Sequence, residues 1–223
     1  SHGQVDASTA PPNGLRVAVV GSGPGGLACA DELAKRGYAV TVLDSTLVPG
    51  GLLVNGTPAF RVERSVVQRR IDLLQKRGVT FRLGVKLEEN LSFADLRNGF
   101  DAVFLGFDSR KARPLNVPGA DLRGVIQALP FILQKTTPVP LEMAPIEVAG
   151  KRVVVVGAGD TAMDCLRAAI RYGAREAVCV YRRDEADMPC GRHEYENARE
   201  EGARFQFQAA PVAVLGNDQR QVT

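Results

Sequence analysis

The sequence predicts an α/β protein made of two doubly wound, parallel-sheet domains, of which the first is incomplete. One pattern occurs twice: a short apolar run, a glycine-rich turn, an amphipathic stretch and a second apolar run, starting at Arg16 and again at Arg152. A strand–helix–strand order with buried strands is typical of a parallel sheet. The two turns, at Gly21 and Gly157, are too far apart for a solenoid repeat and fit two separate domains.

The composition is that of a globular protein. With 45% hydrophobic and 24% charged residues, the 223-residue chain falls outside the disordered and collagen-like classes. Its 28 basic and 25 acidic residues are spread along the chain, so neither a nucleic acid nor a membrane is expected as a partner. The four cysteines form no C-x-x-C pair, so no metal is expected. No apolar run reaches ~18 residues, and we expect a protein of the reducing cytoplasm.

The first domain is predicted to span residues 15–120, behind a tag remnant and lead-in tail at 1–14. Its elements follow from apolar periodicity, with period 3.6 for helices and 2 for strands. A loop rich in glycine and proline is expected between the second strand and the next helix. The predicted strands are Arg16–Val20, Ala39–Leu43, Val79–Leu83 and Phe100–Leu105, and the predicted helices are the stretch that ends before Gly37 and Glu63–Arg77.

A proline-containing stretch, residues 121–150, is predicted to connect the two domains. The second domain is predicted at 151–223, with strands near Arg152–Val156, Ala177–Tyr181 and Ala203–Phe207. Pro211–Leu215 is expected to form a further strand, which begins a hairpin whose return stops at the last residue. We therefore expect the chain to be the central part of a longer polypeptide.

The first glycine turn has the pattern G-x-G-x-x-G, at Gly21, Gly23 and Gly26, with Pro24 inside it. The first glycine permits a tight turn, the second lets a pyrophosphate approach the backbone, and the third lets the helix pack against the strand. Asp44 ends the next strand, where a carboxylate can accept both hydroxyls of an adenosine ribose. These residues together predict a Rossmann-like dinucleotide site.

This motif alone leaves the choice between FAD and NAD open. Gly51 and Leu52, in Gly50-Gly51-Leu52, and Pro58, in Gly56-Thr57-Pro58, offer a second place where backbone could approach a large cofactor. That feature favours FAD. An ordinary surface loop rich in glycine and proline is the alternative.

The second glycine turn predicts NADPH. It has a G-x-G-x-x-A pattern in Gly157, Gly159 and Ala162, and Asp160 and Thr161 lie inside the motif. Where the first domain has an acid at the strand end, the second has Arg182 and Arg183, whose guanidiniums suit a 2′-phosphate. The alternative is that this basic pair faces solvent.

No residue is predicted to be catalytic. His193 adjoins Glu194, but adjacent side chains on a helix point apart and the surrounding stretch is densely charged. None of the four cysteines has neighbours that mark a redox thiol, and Cys29 and Cys165 fall in helical stretches. A dithiol relay is therefore not supported, and electrons would leave a flavin directly.

The amino-acid sequence around the two glycine turns resembles the flavoprotein part of the glutamate synthase small (beta) subunit family. The resemblance extends from Leu15 to about Leu215, and GDTAMDC and YRRDEADMP are its most specific segments. It implies two nested Rossmann-like domains, with FAD in the first and NADPH in the second, and hydride transfer from nicotinamide to flavin. It also implies that electrons pass on to iron–sulfur clusters and, in glutamate synthase, to a large subunit.

The motif match to this family carries over residue by residue. It places one set along FAD, namely Gly21, Gly23, Pro24, Gly26, Asp44, Gly51, Leu52 and Pro58. It places a second set along NADPH, namely Gly157, Gly159, Asp160, Thr161, Ala162, Arg182 and Arg183.

Two departures from the family pattern stand out. Asp108 occupies a position near the flavin where the family usually has glycine, and the chain stops before the family's last cofactor-binding segment. We therefore expect the 223 residues alone to be no competent flavoenzyme. The alternatives to a glutamate synthase type are a related NADPH reductase with another acceptor, or a nucleotide-binding fragment or scaffold without turnover.

Overall fold

The computed structural model describes residues 7–107, 112–136 and 143–223. The predicted tag remnant, Ser1 to Gly3, and the departure at Asp108 lie outside these ranges. The chain divides into two compact units. Unit 1 comprises Ser1–Ser109 and Thr136–Val139, and unit 2 comprises Arg110–Lys135 and Pro140–Thr223.

Unit 1 contains a parallel sheet in the order β3-β2-β1-β4. All three strand pairs are parallel. Val19, in the central strand, lies opposite Val42 on one side and opposite Phe104 on the other. This order confirms the parallel α/β prediction. The strands are β1 (Arg16–Val20), β2 (Ala39–Asp44), β3 (Thr80–Leu83) and β4 (Ala102–Leu105).

Helices pack on both faces of this sheet, as a doubly wound fold requires. The helices of unit 1 are α1 (Pro24–Lys35), α2 (Leu52–Asn55), α3 (Arg64–Lys76) and α4 (Phe93–Gly99). On one face, apolar residues of α1 and α3 cluster with Val19 and Val42. On the other, Leu96 of α4 packs with Ala18 and Leu43. Adjacent residues of one strand thus serve opposite cores.

Two of these helices were not predicted from the sequence. Helix α2 is a single turn inside the expected glycine- and proline-rich loop. The N-cap of helix α4 is Ser92, whose side chain accepts a hydrogen bond from the Asp95 N–H, while the Asp95 carboxylate accepts one from the Ser92 N–H. This reciprocal cap is a signal that the sequence carries, in a serine followed three residues later by an acid.

Unit 2 contains a three-stranded parallel sheet in the order β5-β6-β7, within the described residues. Its strands are β5 (Arg152–Val156), β6 (Glu176–Val180) and β7 (Arg204–Gln206), and its helices are α5 (Ala128–Thr136, in unit 2 as far as Lys135), α6 (Asp160–Arg171) and α7 (Arg192–Glu200). One core joins Met163 and Leu166 of α6 to Cys179 of β6 and Ala198 of α7.

The division into units differs from the predicted domain bounds. It falls between residues 109 and 110 instead of after 120, and part of the predicted connection 121–150 belongs to the core of unit 2. Phe131 and Ile132 of α5, with Ile146 and Val148, are buried in the same cluster as α6. Burial of these apolar side chains stabilises unit 2, which a free connecting segment would not do.

The predicted strand at Pro211–Leu215 is wrong. No strand forms there, and only isolated bridges join Gly216 to Val222 and Arg123 to Gln221. Pro211 has no N–H to donate, and the Val214 N–H donates instead to the Pro118 carbonyl at 2.8 Å. The segment is thus held by a neighbouring loop of unit 2. The predicted return after it is present as a short antiparallel contact, in which the Thr223 N–H donates to the Leu215 carbonyl at 3.3 Å and the Asn217 N–H to the Gln221 carbonyl at 2.9 Å.

Candidate nucleotide-binding sites

The first glycine turn joins β1 to α1 in a conformation that requires glycine at two positions. Gly21 has a φ of +107°, and a Cβ there would lie 2.7 Å from the Gly106 carbonyl oxygen. A Cβ on Gly26 would lie 1.9 Å from the Gly21 carbonyl oxygen. The first glycine therefore permits the turn, and the third lets the helix approach the strand.

The middle glycine is free of such constraints. Gly23 is the N-cap of α1 with a φ of −67°, and no atom lies within 4 Å of the position a Cβ would take. Pro24, exposed, is the first helical residue, and no acidic side chain lies in the first turn. The open space faces the positive end of a twelve-residue helix. That combination suits a phosphate group.

Asp44, at the end of β2, is buried and accepts four hydrogen bonds. The Ser22 N–H and hydroxyl donate to its Oδ2 at 2.7 and 2.5 Å. The Thr46 N–H and hydroxyl donate to its Oδ1, each at 2.8 Å. Both oxygens of this carboxylate, which the sequence predicted as a ribose ligand, are thus held by Ser22 and Thr46.

These contacts keep Asp44 ionised. Burial opposes the charged form, but the hydrogen bonds from Ser22 and Thr46 outweigh it, so the pKa of Asp44 lies below its ordinary value. The site in unit 1 therefore carries a negative charge at neutral pH.

The loop after β2 lies directly against the glycine turn, as the sequence suggested. The Gly50 N–H donates to the Ser22 hydroxyl at 2.9 Å. Gly51 has a φ of +56°, and a Cβ there would lie 2.7 Å from the Gly23 Cα. Leu52 begins α2, and Pro58 is buried beyond it. Two stretches of glycine backbone thus meet at one place in unit 1.

Ser22 and Thr46 are the functional candidates that the sequence reasoning missed. Ser22 has no exposed surface, and its hydroxyl contacts both Asp44 and Gly50. Thr46 stands two residues after Asp44, the spacing at which an aspartate accepts from a backbone N–H. That spacing was available in the sequence, but the contact with Ser22 depends on the fold.

The second glycine turn, in unit 2, repeats the first in outline. Gly157 has a φ of +117°, and its N–H donates to the Val180 carbonyl at 2.9 Å. Gly159 is the N-cap of α6, and no atom lies within 4 Å of a Cβ placed there. Ala162, at the third motif position, is buried against the core. The open N-terminus of a long helix again suits a phosphate.

Asp160 and Thr161 are the first residues of α6, and both are exposed. The Asp160 Oδ1 accepts a hydrogen bond of 3.0 Å from the Gly191 N–H. Gly191 is the N-cap of α7, so this bond joins the first turn of α6 to the start of α7. The segment between β6 and α7 is thereby held beside the second glycine turn.

Arg182 and Arg183 come directly after β6 and lie in that segment. Both are exposed, and among the described residues neither side chain has an ion-pair or hydrogen-bond partner. The Arg183 carbonyl accepts from the Gln208 N–H at 3.2 Å, which fixes the backbone. The two guanidiniums thus follow β6, whose last residue, Val180, accepts a hydrogen bond from the Gly157 N–H. Their charge is available to an anionic ligand.

One of the remaining candidates contacts a glycine turn: the Cys179 thiol donates to the Gly157 carbonyl at 3.2 Å. His193 is exposed on α7. Burial raises the pKa of the Cys165 thiol to about 12 and that of Cys179 to about 11, so neither is a thiolate at neutral pH. All four cysteines are free thiols.

In the described residues no cluster of three or more histidine, cysteine or acidic side chains could hold a metal ion, and no helix is long and apolar enough to cross a membrane.

The chain belongs to the pyridine nucleotide-disulphide oxidoreductase family, whose model matches residues 15–223. The two parallel-sheet units and their glycine turns fit that assignment. A solved structure of FprA from Mycobacterium tuberculosis in complex with NADPH has the same fold, with a TM-score of 0.78 at 20% identity. The match covers 96% of this chain and 62% of FprA.

The chain is also similar to two curated proteins. It is 45% identical over 207 residues to a glutamate synthase (NADPH) small chain from Halomonas elongata, covering 91% of this chain and 44% of that protein. It is 38% identical over 220 residues to the NADPH-Fe(3+) oxidoreductase subunit beta of Geobacter sulfurreducens, covering 96% and 32%. The chain thus spans half or less of the length of the curated relatives it matches.

Proposed function

We propose that the chain is the dinucleotide-binding part of an NADPH-dependent flavin oxidoreductase, with FAD in unit 1 and NADPH in unit 2. One contrast carries the proposal. Two glycine turns of similar geometry are followed by opposite charges, a buried carboxylate at Asp44 and two exposed guanidiniums at Arg182 and Arg183. A site that carries a negative charge disfavours a 2′-phosphate, whereas a doubly positive one favours it.

The residues of unit 1 fit FAD. The open side of Gly23 leaves room for a pyrophosphate at the N-terminus of α1, and Asp44 lies at the strand end where an adenosine ribose would bind. Gly51 packs its backbone against Gly23, which gives a long cofactor a second stretch of backbone beside the first. Leu52 and Pro58 lie along the same loop, within contact range of such a cofactor in this proposal.

The residues of unit 2 fit NADPH. Gly157 and Gly159 form the turn, Asp160 and Thr161 begin α6, and Ala162 packs beneath it. Arg182 and Arg183 supply the charge that distinguishes NADPH from NADH. We assign the pyrophosphate to the N-terminus of α6 and the 2′-phosphate to the arginine pair.

When bound, FAD accepts a hydride from reduced nicotinamide and releases electrons to a further acceptor. The residues of this chain bind and orient the two dinucleotides, and none is assigned a proton-transfer role. The buried thiols with raised pKa values favour an exit for electrons that bypasses cysteine. We propose an iron–sulfur centre or a large subunit of the glutamate synthase type as acceptor, in the cytoplasm, where free thiols persist.

Binding measurements test this proposal. The 223-residue chain is titrated with FAD and with NADPH, and Asp44→Ala is expected to weaken FAD binding and leave NADPH binding unchanged. Ser45→Ala, at the exposed neighbouring position, is the matched control. Equal FAD affinities for wild type and Asp44→Ala would contradict the assignment of FAD to unit 1.

A second function from a different class remains: a dinucleotide-binding fragment or scaffold without turnover. The chain spans only 44% of the glutamate synthase small chain, and a part of that size could bind nucleotides without catalysing the reaction. NADPH-driven reduction of a dye in the presence of FAD distinguishes the two when it is measured on a protein of the curated relatives' length, because we expect the 223 residues alone to be no competent flavoenzyme. Binding of both dinucleotides without turnover would support the scaffold, and steady turnover would support the oxidoreductase, including one with an acceptor other than that of glutamate synthase.

A further inference from the structure

Ser22 is a fully buried hydroxyl at the junction of three chain segments in unit 1. It lies inside the glycine turn, donates to Asp44 at the end of β2, and accepts from the N–H of Gly50 in the following loop. Its relative exposure is 0%. A buried hydroxyl with both its donor and its acceptor function engaged fixes the groups around it.

The contacts of Ser22 and Thr46 together leave Asp44 no open acceptor position. A carboxylate offers about four lone-pair positions. Ser22 and Thr46 together supply four donors, all within 2.8 Å. A ribose hydroxyl can therefore reach this carboxylate only if one donor leaves.

The donors differ in how easily they can leave. The Thr46 hydroxyl lies 2.8 Å from the Asp44 Oδ1 and 2.9 Å from the Val48 carbonyl oxygen, and it has a single proton. It can turn to Val48 and give up its place on Oδ1 without losing a hydrogen bond. The Ser22 hydroxyl, by contrast, is fixed between Oδ2 and the Gly50 N–H.

We propose that Ser22 is a positioning residue of the first dinucleotide site, which holds Oδ2 of Asp44 and the Gly50–Gly51 backbone in place while Oδ1 remains the oxygen that a ribose hydroxyl can reach. The proposal rests on the assignment of FAD to unit 1. Gly51 lies against Gly23, so a shift of this loop changes the space beside the phosphate position. Ser22 thus acts on the cofactor through Asp44 and Gly50 and need not touch it.

Replacement of Ser22 by alanine removes one donor to a buried carboxylate and the acceptor of a buried N–H. Both groups lose a partner that water replaces poorly at a position without exposed surface. We expect Ser22→Ala to weaken FAD binding about tenfold, the change that loss of one charge-assisted hydrogen bond produces.

The test is a titration of the 223-residue chain with FAD, followed by fluorescence anisotropy, for wild type, Ser22→Ala, Asp44→Asn and the double variant. Ser45→Ala, one residue past Asp44 and exposed, is the matched control and should bind as wild type does. Since Ser22 acts through Asp44, the double variant should lose little more affinity than Asp44→Asn alone. NADPH affinity, measured in parallel, should stay within twofold in all variants.

The outcomes separate this inference from the proposed function. If wild type binds FAD and Ser22→Ala binds it equally well, or if the two losses add fully, the positioning role is overturned and the FAD assignment stands. If wild type binds no FAD, the assignment fails and the positioning role fails with it. Should Ser22→Ala melt below the assay temperature, Ser22→Cys replaces it, because a thiol of similar size is a weaker donor. Ser22→Cys is then expected to lose at least threefold in affinity, and affinity equal to wild type would overturn the inference.

Discussion

The Gly191 N–H donates a hydrogen bond of 3.0 Å to the Asp160 carboxylate. This bond holds the end of the β6–α7 segment that precedes α7. The end that follows β6 is held where the Val180 carbonyl accepts from the Gly157 N–H. Arg182 and Arg183 therefore belong to a loop that is held at both ends beside the second glycine turn. A loop fixed in this way positions charge with little entropic cost on binding.

We expect the double variant Arg182→Ala, Arg183→Ala to lose affinity for NADPH by roughly ten- to a hundredfold, because each guanidinium can form charge-assisted hydrogen bonds to a 2′-phosphate. NADH, which lacks that phosphate, should bind both proteins alike. Calorimetric titration with the two nucleotides measures the difference. Arg175→Ala is the control, since Arg175 is exposed just before the opposite end of the same strand. Equal affinity of wild type for NADPH and NADH would contradict the assignment.

Two glycines of the first turn should differ in how much their replacement lowers the free energy of unfolding. A Cβ on Gly26 would meet the Gly21 carbonyl at 1.9 Å, so Gly26→Ala should lower the free energy of unfolding by ~1–3 kcal/mol. A Cβ on Gly23 meets nothing, so Gly23→Ala should change it by less than ~1 kcal/mol. Urea denaturation of the two variants measures this contrast. A Gly26→Ala protein as stable as Gly23→Ala would show that the helix does not need this close approach.

Asp44 should make stability depend on pH in the acid range. Its pKa is lowered in the folded chain, so the carboxylate contributes stability above its unfolded value of about 3.9 and loses that contribution as pH falls through the folded value. The stability difference between wild type and Asp44→Asn should therefore narrow below pH 4. Thermal melts of both proteins from pH 6 to pH 3 provide the measurement. A constant difference over that range would mean that folding does not lower the pKa of Asp44.

Arg167 should matter more for unit 2 than Arg171. Its side chain is buried and reaches Glu201 at 2.8 Å and Glu194 at 3.2 Å, which ties α6 to α7. Arg171 binds the same Glu201 at 2.7 Å but is exposed. Removal of a buried partner costs ~3–5 kcal/mol, whereas an exposed pair contributes ~0.2–1 kcal/mol. Urea denaturation of Arg167→Ala and Arg171→Ala should show that order, and equal losses would contradict it.

The sequence was sufficient for the elements that depend on local pattern. The glycine turns, their strands and the helices after them follow from apolar periodicity and from the φ that glycine permits. The structure confirms the bounds of β1 and β5 and the presence of helices α1 and α6 after the two turns. Burial of Phe131 was not visible, because an apolar run near prolines looks the same in a connection and in a core helix. The contact of Ser22 with Gly50 was also hidden, since it joins residues 28 positions apart.

The most direct test of the two-site account is a reciprocal pair of variants. Gly23→Val and Gly159→Val each place a side chain where no protein atom lies within 4 Å of the Cβ, so each should fold while filling the phosphate position of one unit. Equilibrium dialysis of each variant against FAD and against NADPH is the measurement. The account predicts that Gly23→Val loses FAD and keeps NADPH, and that Gly159→Val loses NADPH and keeps FAD. Loss of the same dinucleotide in both variants, or of neither, would contradict the assignment of separate cofactors to the two glycine turns.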